Sequence, residues 1–144
     1  MTSDIIAEAR RWIGTPYRHQ ASTLGAGCDC LGLLRGIWRE TRGAEPEVAP
    51  AYTADWAEPQ AEETLLAAAM RHLQPICLRD AAPGDVLVFR MTPASIAKHV
   101  GILSAVAPGA FIHAYSGKGV VESPLSAPWA AKIAASFRFP ERSA

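Results

Sequence analysis

At 144 residues, 49% hydrophobic and 19% charged, the chain has the size and texture of one ordinary folded domain spanning 1–144, long enough to bury roughly two thirds of the surface its unfolded form exposes. Its 14 basic and 14 acidic side chains cancel, which argues against disorder and against a bulk electrostatic hold on nucleic acid or anionic lipid. Residues 1–11 carry Asp4, Glu8, Arg10 and Arg11 where a secretory signal needs an unbroken apolar run, and no window reaches membrane-spanning length, so the chain as given is expected to be soluble, made in the cytoplasm and without an export signal of its own.

Ile5, Ile6, Ala9, Trp12 and Ile13 recur at helical spacing. Thr2 or Ser3 can cap that first helix, Gly14 can close it, and Pro16 forbids continuation. A second helix is expected over 30–41, with Leu31, Leu34, Ile37 and Trp38 on one stripe broadened by Leu33, Asp29 as N-cap and Gly43 as stop. Residues 43–59 hold Pro46, Pro50 and Pro59 and read as a long surface loop, whose large Tyr52 and Trp56 suit one wall of a substrate groove. A third helix follows over 60–73, burying Leu65, Leu66, Ala69 and Leu73.

Beyond Pro75 the texture changes to short β-like runs at 86–89, 100–106, 110–115, 120–122 and 136–139. Pro83-Gly84-Asp85, Pro108-Gly109 and Gly117-Lys118-Gly119 supply the turns, the first two with Pro and Gly placed for the two central positions. Helices first and a strand meander second give an α+β fold, N-terminal helices on a central antiparallel sheet of about five or six strands. No internal repeat is present.

Three cysteines cannot all pair within one chain, and Cys28 and Cys30 are too close to staple a fold, so reduced thiols are expected. Cys30 falls in the first turn of the second helix, where free backbone N–H groups and the dipole favour a thiolate. By itself a cysteine is more often a small core residue. His99, at the head of one apolar run, and His113, in the next run fourteen residues on, change that reading. A hairpin through Pro108-Gly109 would carry both on neighbouring strands, about 4.8 Å apart, with rings in reach of one another if they share a face. His99 is then the general base and His113 the group that orients it.

His19, in the loop before Cys28, is read as an ordinary loop histidine or a wall of the site. His72 beside Arg71 is read as structural or exposed, and Cys77 between Ile76 and Leu78 as strand core. Cys28-Asp29-Cys30 lacks the two-to-four residue gap of a zinc pair, and no second pair follows, so neither a metal site nor a cofactor is expected.

In order along the chain, Gly14-Thr15-Pro16-Tyr17, Asp29-Cys30-Leu31-Gly32-Leu33, Pro83-Gly84-Asp85-Val86-Leu87, His99-Val100-Gly101-Ile102 and Phe111-Ile112-His113-Ala114 resemble the NlpC-type cell-wall peptidases. The resemblance implies a papain-like fold and cysteine-dependent cleavage of peptidoglycan stem peptides between D-glutamate and the following diamino acid, diaminopimelate in many walls. It makes Cys30 the nucleophile, His99 the base, His113 the third member, and Tyr17 a donor to the oxyanion. Asp29, His19 and Trp56 are the substrate-binding candidates beside them. The Cys28-Asp29-Cys30-Leu31-Gly32-Leu33 wording looks most like the branch found in phage tails and gene-transfer particles, which implies tail or baseplate proteins as partners and action at the cell wall or periplasm.

The chain departs from the pattern in two places. Arg18-His19-Gln20-Ala21 stands where a Gly-Gly pair is common, and Leu31 where a serine often follows the cysteine. Two other readings use the same residues: a thiol-dependent amidase or acyltransferase of the same superfamily, and a non-catalytic peptidoglycan-binding component of a tail tip.

Overall fold

The computed structural model describes residues 2–47 and 63–141, with the side chains of Thr2 and Ser3 left aside. Tyr52 and Trp56, and with them the expected groove wall, lie outside the described residues. Helix α1 (Thr2–Arg11) already includes Thr2 and Ser3, expected as caps, and ends before Trp12. Trp12 and Ile13 continue as a tight turn, donating to the carbonyls three residues back at 3.1 and 3.3 Å. Helix α2 (Cys30–Arg42) starts on the Asp29 cap and stops at Gly43, whose φ of 98° is one that glycine adopts without strain. Between α1 and α2, β1 (Ser22–Thr23) and β2 (Gly27–Cys28) form a two-stranded ribbon that the sequence did not announce.

Helix α3 (Thr64–His72) leads into β3 (Gln74–Ile76). Then come β4 (Val86–Phe89), β5 (His99–Val106), β6 (Gly109–Tyr115), β7 (Gly119–Pro124), the short α4 (Ala127–Ala130) and β8 (Ile133–Arg138). The six longer strands make one antiparallel sheet in the order β3-β8-β4-β5-β6-β7. This is the expected α+β architecture, with β3 as an extra edge strand. Pro75 inside β3 is tolerated because an edge strand has one side without ladder partners.

Alternation along the strands gives the sheet two apolar faces. On one, Val86, Val88, Val100, Ile102, Ile112 and Ala114 meet Ile5, Trp12, Leu33, Ile37 and Leu65 of the helical side. On the other, Leu87, Phe89, Leu103 and Phe111 are covered by Leu125, Trp129 and Ile133. Cys28 is fully buried in the first cluster, a core residue rather than a second reactive thiol.

Two local expectations are corrected. Ala82-Pro83-Gly84-Asp85 closes with an Asp85 N–H to Ala82 carbonyl bond and Gly84 at φ 100°, as a Pro-Gly turn should. Pro108-Gly109 is built differently. Pairing of Val106 with Gly109 leaves only Ala107 and Pro108 in the turn, so the proline takes the second central position, with a cis Ala107-Pro108 bond, and Gly109 already belongs to β6. Cys77 is exposed, not strand core, because β3 ends at Ile76 after three paired residues and a 3-10 turn follows at once.

The close approach of α1 to α2 depends on Gly36, where an added Cβ would stand 2.1 Å from the Trp12 indole. Since a buried indole cannot step aside without disturbing the core, Gly36→Ala is expected to cost about 1–3 kcal/mol by overpacking. Thermal unfolding should show a lowered Tm for this variant, and an unchanged Tm would mean that the helices can separate freely.

Candidate active site

The start of α2 is held by one buried carboxylate. Asp29 accepts the Gly32 N–H at 2.7 Å through Oδ1 and the Gln20 N–H at 2.7 Å through Oδ2. The first bond is an N-cap, and the second ties the loop carrying Tyr17 to the helix start. The loop lies so close that a Cβ on Gly32 would stand 1.9 Å from the Ala21 carbonyl oxygen. Tyr17 is bridged to Cys28, and Cys28 donates its N–H to the Pro16 carbonyl at 3.0 Å. Phenol and thiol are thereby brought to one end of the sheet, where β5 begins and β6 ends.

There, Tyr17, His19, Asp29, Cys30, Leu31, Met91, Lys98, His99, Ala114, Tyr115 and Ser116 line a cleft of about 190 Å³. All the sequence-derived candidates in the described residues except His113 therefore face one space. His113 stands behind His99. Their rings are joined by a 2.9 Å contact between His99 Nε2 and His113 Nδ1, and His113 Nε2 lies 2.9 Å from the Ser123 hydroxyl. Gly101 permits this approach, because a Cβ there would sit 2.9 Å from the Phe111 ring and 3.2 Å from His113 Cβ.

The contacts settle the order of donors once one requirement is imposed. If His99 is to accept a proton from the cleft it must do so at Nδ1, since Nε2 is committed to His113. Nε2–H of His99 then donates to His113 Nδ1, and His113 Nε2–H donates to Ser123. The Cys30 thiol donates to the Lys98 carbonyl at 3.6 Å and so has to turn from that carbonyl to meet His99.

Burial governs the charges. It pushes the Cys30 thiol up to about 12, helped by the Asp29 carboxylate, while the N–H groups of Val100, Leu31 and Cys30 pull the other way. The favourable effect of the helix start is present, yet desolvation outweighs it. Burial also holds His99 down to about 3, with His113 adding to the effect, and His113 down to about 4. Tyr17 is raised to about 12 by burial and by its proximity to Cys30, Asp29 and Cys28, so the phenol keeps its proton and remains a donor. Burial thus favours the neutral forms of the thiol and of both imidazoles.

No protein-family model matches the chain. The gamma-DL-glutamyl hydrolase of Bacillus subtilis is 29% identical over 136 residues, covering 94% of this chain but only 29% of that protein. Among solved structures, the NlpC/p60 domain of the peptidoglycan hydrolase SagA superposes with a TM-score of 0.67 at 25% identity, over 96% of this chain and 99% of that one. An NlpC/P60 family protein from Bacillus cereus gives 0.67 at 19% identity over 96% of this chain and 40% of its own. This is the NlpC/P60 fold. The chain spans about a third or less of the curated relative's length and the whole of the SagA domain.

Sequence reasoning for an NlpC/P60 fold missed Ser123 and Trp129. Ser123 sits on β7, one strand beyond His113, and only the sheet register could have revealed it. Trp129 lies on α4 within 5.6 Å of His99 and 5.2 Å of His113, centroid to centroid. Its signal was a lone tryptophan after Pro128 in an otherwise small-residue stretch. Asp29 lines the cleft but spends both oxygens on backbone N–H groups, and His19 is exposed with Nδ1 3.9 Å from Asp29 Oδ2. His72 is paired with Glu47 and lines a larger, apolar cavity that contains no cysteine. Among the described residues no group of three or more His, Cys, Asp or Glu side chains is placed to hold a metal ion.

A resting thiol pushed up to about 12 has a testable consequence. Alkylation of Cys30 by iodoacetamide, followed by peptide mass so that exposed Cys77 is counted separately, should accelerate about tenfold per pH unit from pH 7 to 9, as the thiolate fraction does. A rate independent of pH between 5 and 8 would show a preformed thiolate instead.

Proposed function

We propose that this chain is a cysteine peptidase of the cell wall that cleaves peptidoglycan stem peptides at the γ-linked bond between D-glutamate and the following diamino acid. The observation that carries the proposal is the thiol of Cys30 and the ring of His99 lining one cleft, with His113 and Ser123 bonded in series behind His99. A hydrolase is supported by both the curated relative and the solved neighbour, one named for γ-glutamyl and the other for peptidoglycan hydrolysis. The two names share only hydrolysis, and the γ-linked D-glutamyl bond of the stem peptide is the bond that fits both together, one supplying the γ-glutamyl linkage and the other the peptidoglycan. The sequence wording around Cys30 further supports delivery to the wall by a phage-like particle, with tail or baseplate proteins as partners.

The steps follow from the contacts. Cys30 gives its proton to His99 Nδ1 as the sulfur attacks the scissile carbonyl, so that the two charges form together and offset one another in a site that disfavours either alone. The oxyanion is received by the protonated Tyr17 hydroxyl and the Cys30 N–H at the helix start. The imidazolium keeps its Nε2–H on His113 and passes its Nδ1 proton to the leaving amine. Water, deprotonated by His99, then releases the acyl group from sulfur and restores the thiol. No step in this sequence needs a cofactor.

Purified sacculi incubated with the protein should release fragments whose masses place the cut after D-glutamate. Cys30→Ala should abolish release in folded protein, and His99→Ala should reduce it nearly as far. His113→Asn should keep measurable turnover, because an amide oxygen can still accept the His99 Nε2–H, whereas His113→Ala should keep less. Equal and complete inactivation by His113→Asn and His99→Ala would contradict the division of roles, and cleavage undiminished in Cys30→Ala would contradict the function.

A further inference from the structure

Trp129 touches more of the imidazole pair's surroundings than a filler of the second apolar face requires. Its indole is 5.3 Å from Phe89 and 5.2 Å from Phe111, the core rings of that face, yet it also lies tilted by 35° against His99 at 5.6 Å, edge-on to His113 at 5.2 Å, and 5.6 Å from Tyr115. One side chain, on a four-residue helix with exposed neighbours, closes the sheet face over both histidines.

We propose that Trp129 is a positioning residue, which holds the His99–His113 pair in register and keeps water from it, so that the pair stays uncharged until the thiol hands over its proton. The inference rests on the role given to His99 under the proposed function.

The other polar and titratable groups of the cleft and the relay can be named. Cys30 comes from α2, Tyr17, His19 and Asp29 from the loop before it, Lys98 from the entry to β5, Tyr115 from β6 and Ser123 from β7. Asp29 and Lys98 are the acidic and the basic side chain among them, and Asp29 is engaged by two backbone N–H groups. An aromatic wall acts on a buried imidazole in two opposite senses. It removes water, which disfavours the imidazolium, and its π face attracts the cation once formed. Burial is the leading cause that holds both histidines well below their ordinary range. On this proposal the exclusion of water outweighs the attraction of the ring, and opening the wall should make protonation easier.

The test uses the whole chain with ¹⁵N-labelled histidine, read by NMR without substrate, alongside kcat and KM for a γ-D-glutamyl stem peptide across the same pH range. In the wild-type protein the His99 and His113 nitrogens should stay in their neutral pattern down to pH 5. In Trp129→Leu they should titrate at least one pH unit higher than in wild type. The acid limb of kcat/KM should move by the same amount, and kcat should fall while KM changes little. Trp129→Phe, which keeps a ring in place, should lie between the two. A folded Trp129→Leu with wild-type titration and acid limb overturns the proposal. Where the leucine variant does not fold, an unshifted titration in Trp129→Phe does so. A failed NMR arm with cleavage retained condemns only the role of Trp129, whereas absence of cleavage by the wild-type protein condemns the proposed function itself.

Discussion

Both oxygens of Asp29 are spent on backbone, one on the first turn of α2 and one on Gln20 in the preceding loop. Because the side chain is buried at 2% exposure, a lost partner there would leave a buried carboxylate uncompensated, a defect that commonly costs several kcal/mol. The bonds decide two things together: where α2 begins, and so where the Cys30 sulfur stands, and how the Tyr17 loop lies against it. Gly32 is the companion requirement, since any larger residue would collide with the Ala21 carbonyl that the bond to Gln20 brings near. Gln20 itself accepts a φ of 64°, in a segment where relatives of the sequence pattern commonly place glycine. The departure from Gly-Gly is thus accommodated in the backbone. Leu31, the other departure, packs partly against the helical core and lines the cleft.

Around that anchored helix start, burial acts on the thiol, the phenol and both imidazoles in the same sense, and in each case it is the chief cause that displaces the group toward its neutral form. Such a cleft disfavours a standing thiolate, and under the proposed function proton transfer accompanies the attack. The relay His99–His113–Ser123 then has a physical task, because a new cation on His99 meets an acceptor at His113 Nδ1 already within 2.9 Å. Gly101 on β5 contributes by being absent at Cβ, and the aromatic wall contributes by excluding water.

Much of this was legible in the sequence, for reasons that can be located. The cysteine at a helix start followed from Asp29 and the apolar stripe behind it, which are local signals. The two histidines on paired strands followed from alternation and a turn between them. Here even a misread turn did no harm: Pro108 occupies the second rather than the first central position, yet the hairpin closes and both rings leave the same face. Contacts across strands or between distant segments were not legible. Ser123 reaches His113 through register, Trp129 reaches it through the placement of α4, and β3 forms an edge only because β8 offers three residues to pair with. Cys77 was misjudged for the same reason, since its apolar neighbours say nothing about where the partner strand runs out.

The central claim is that Cys30 sulfur carries the acyl group between two half-reactions. Protein quenched in acid during turnover of a γ-D-glutamyl stem peptide, and examined by intact and peptide mass, tests this most directly. The account predicts a mass increase equal to the acyl portion of the substrate, located on the peptide containing Cys30 and absent when the quench precedes substrate. An adduct on Cys77 or on any other residue, or steady product release from protein that is unmodified at every time sampled, would contradict it.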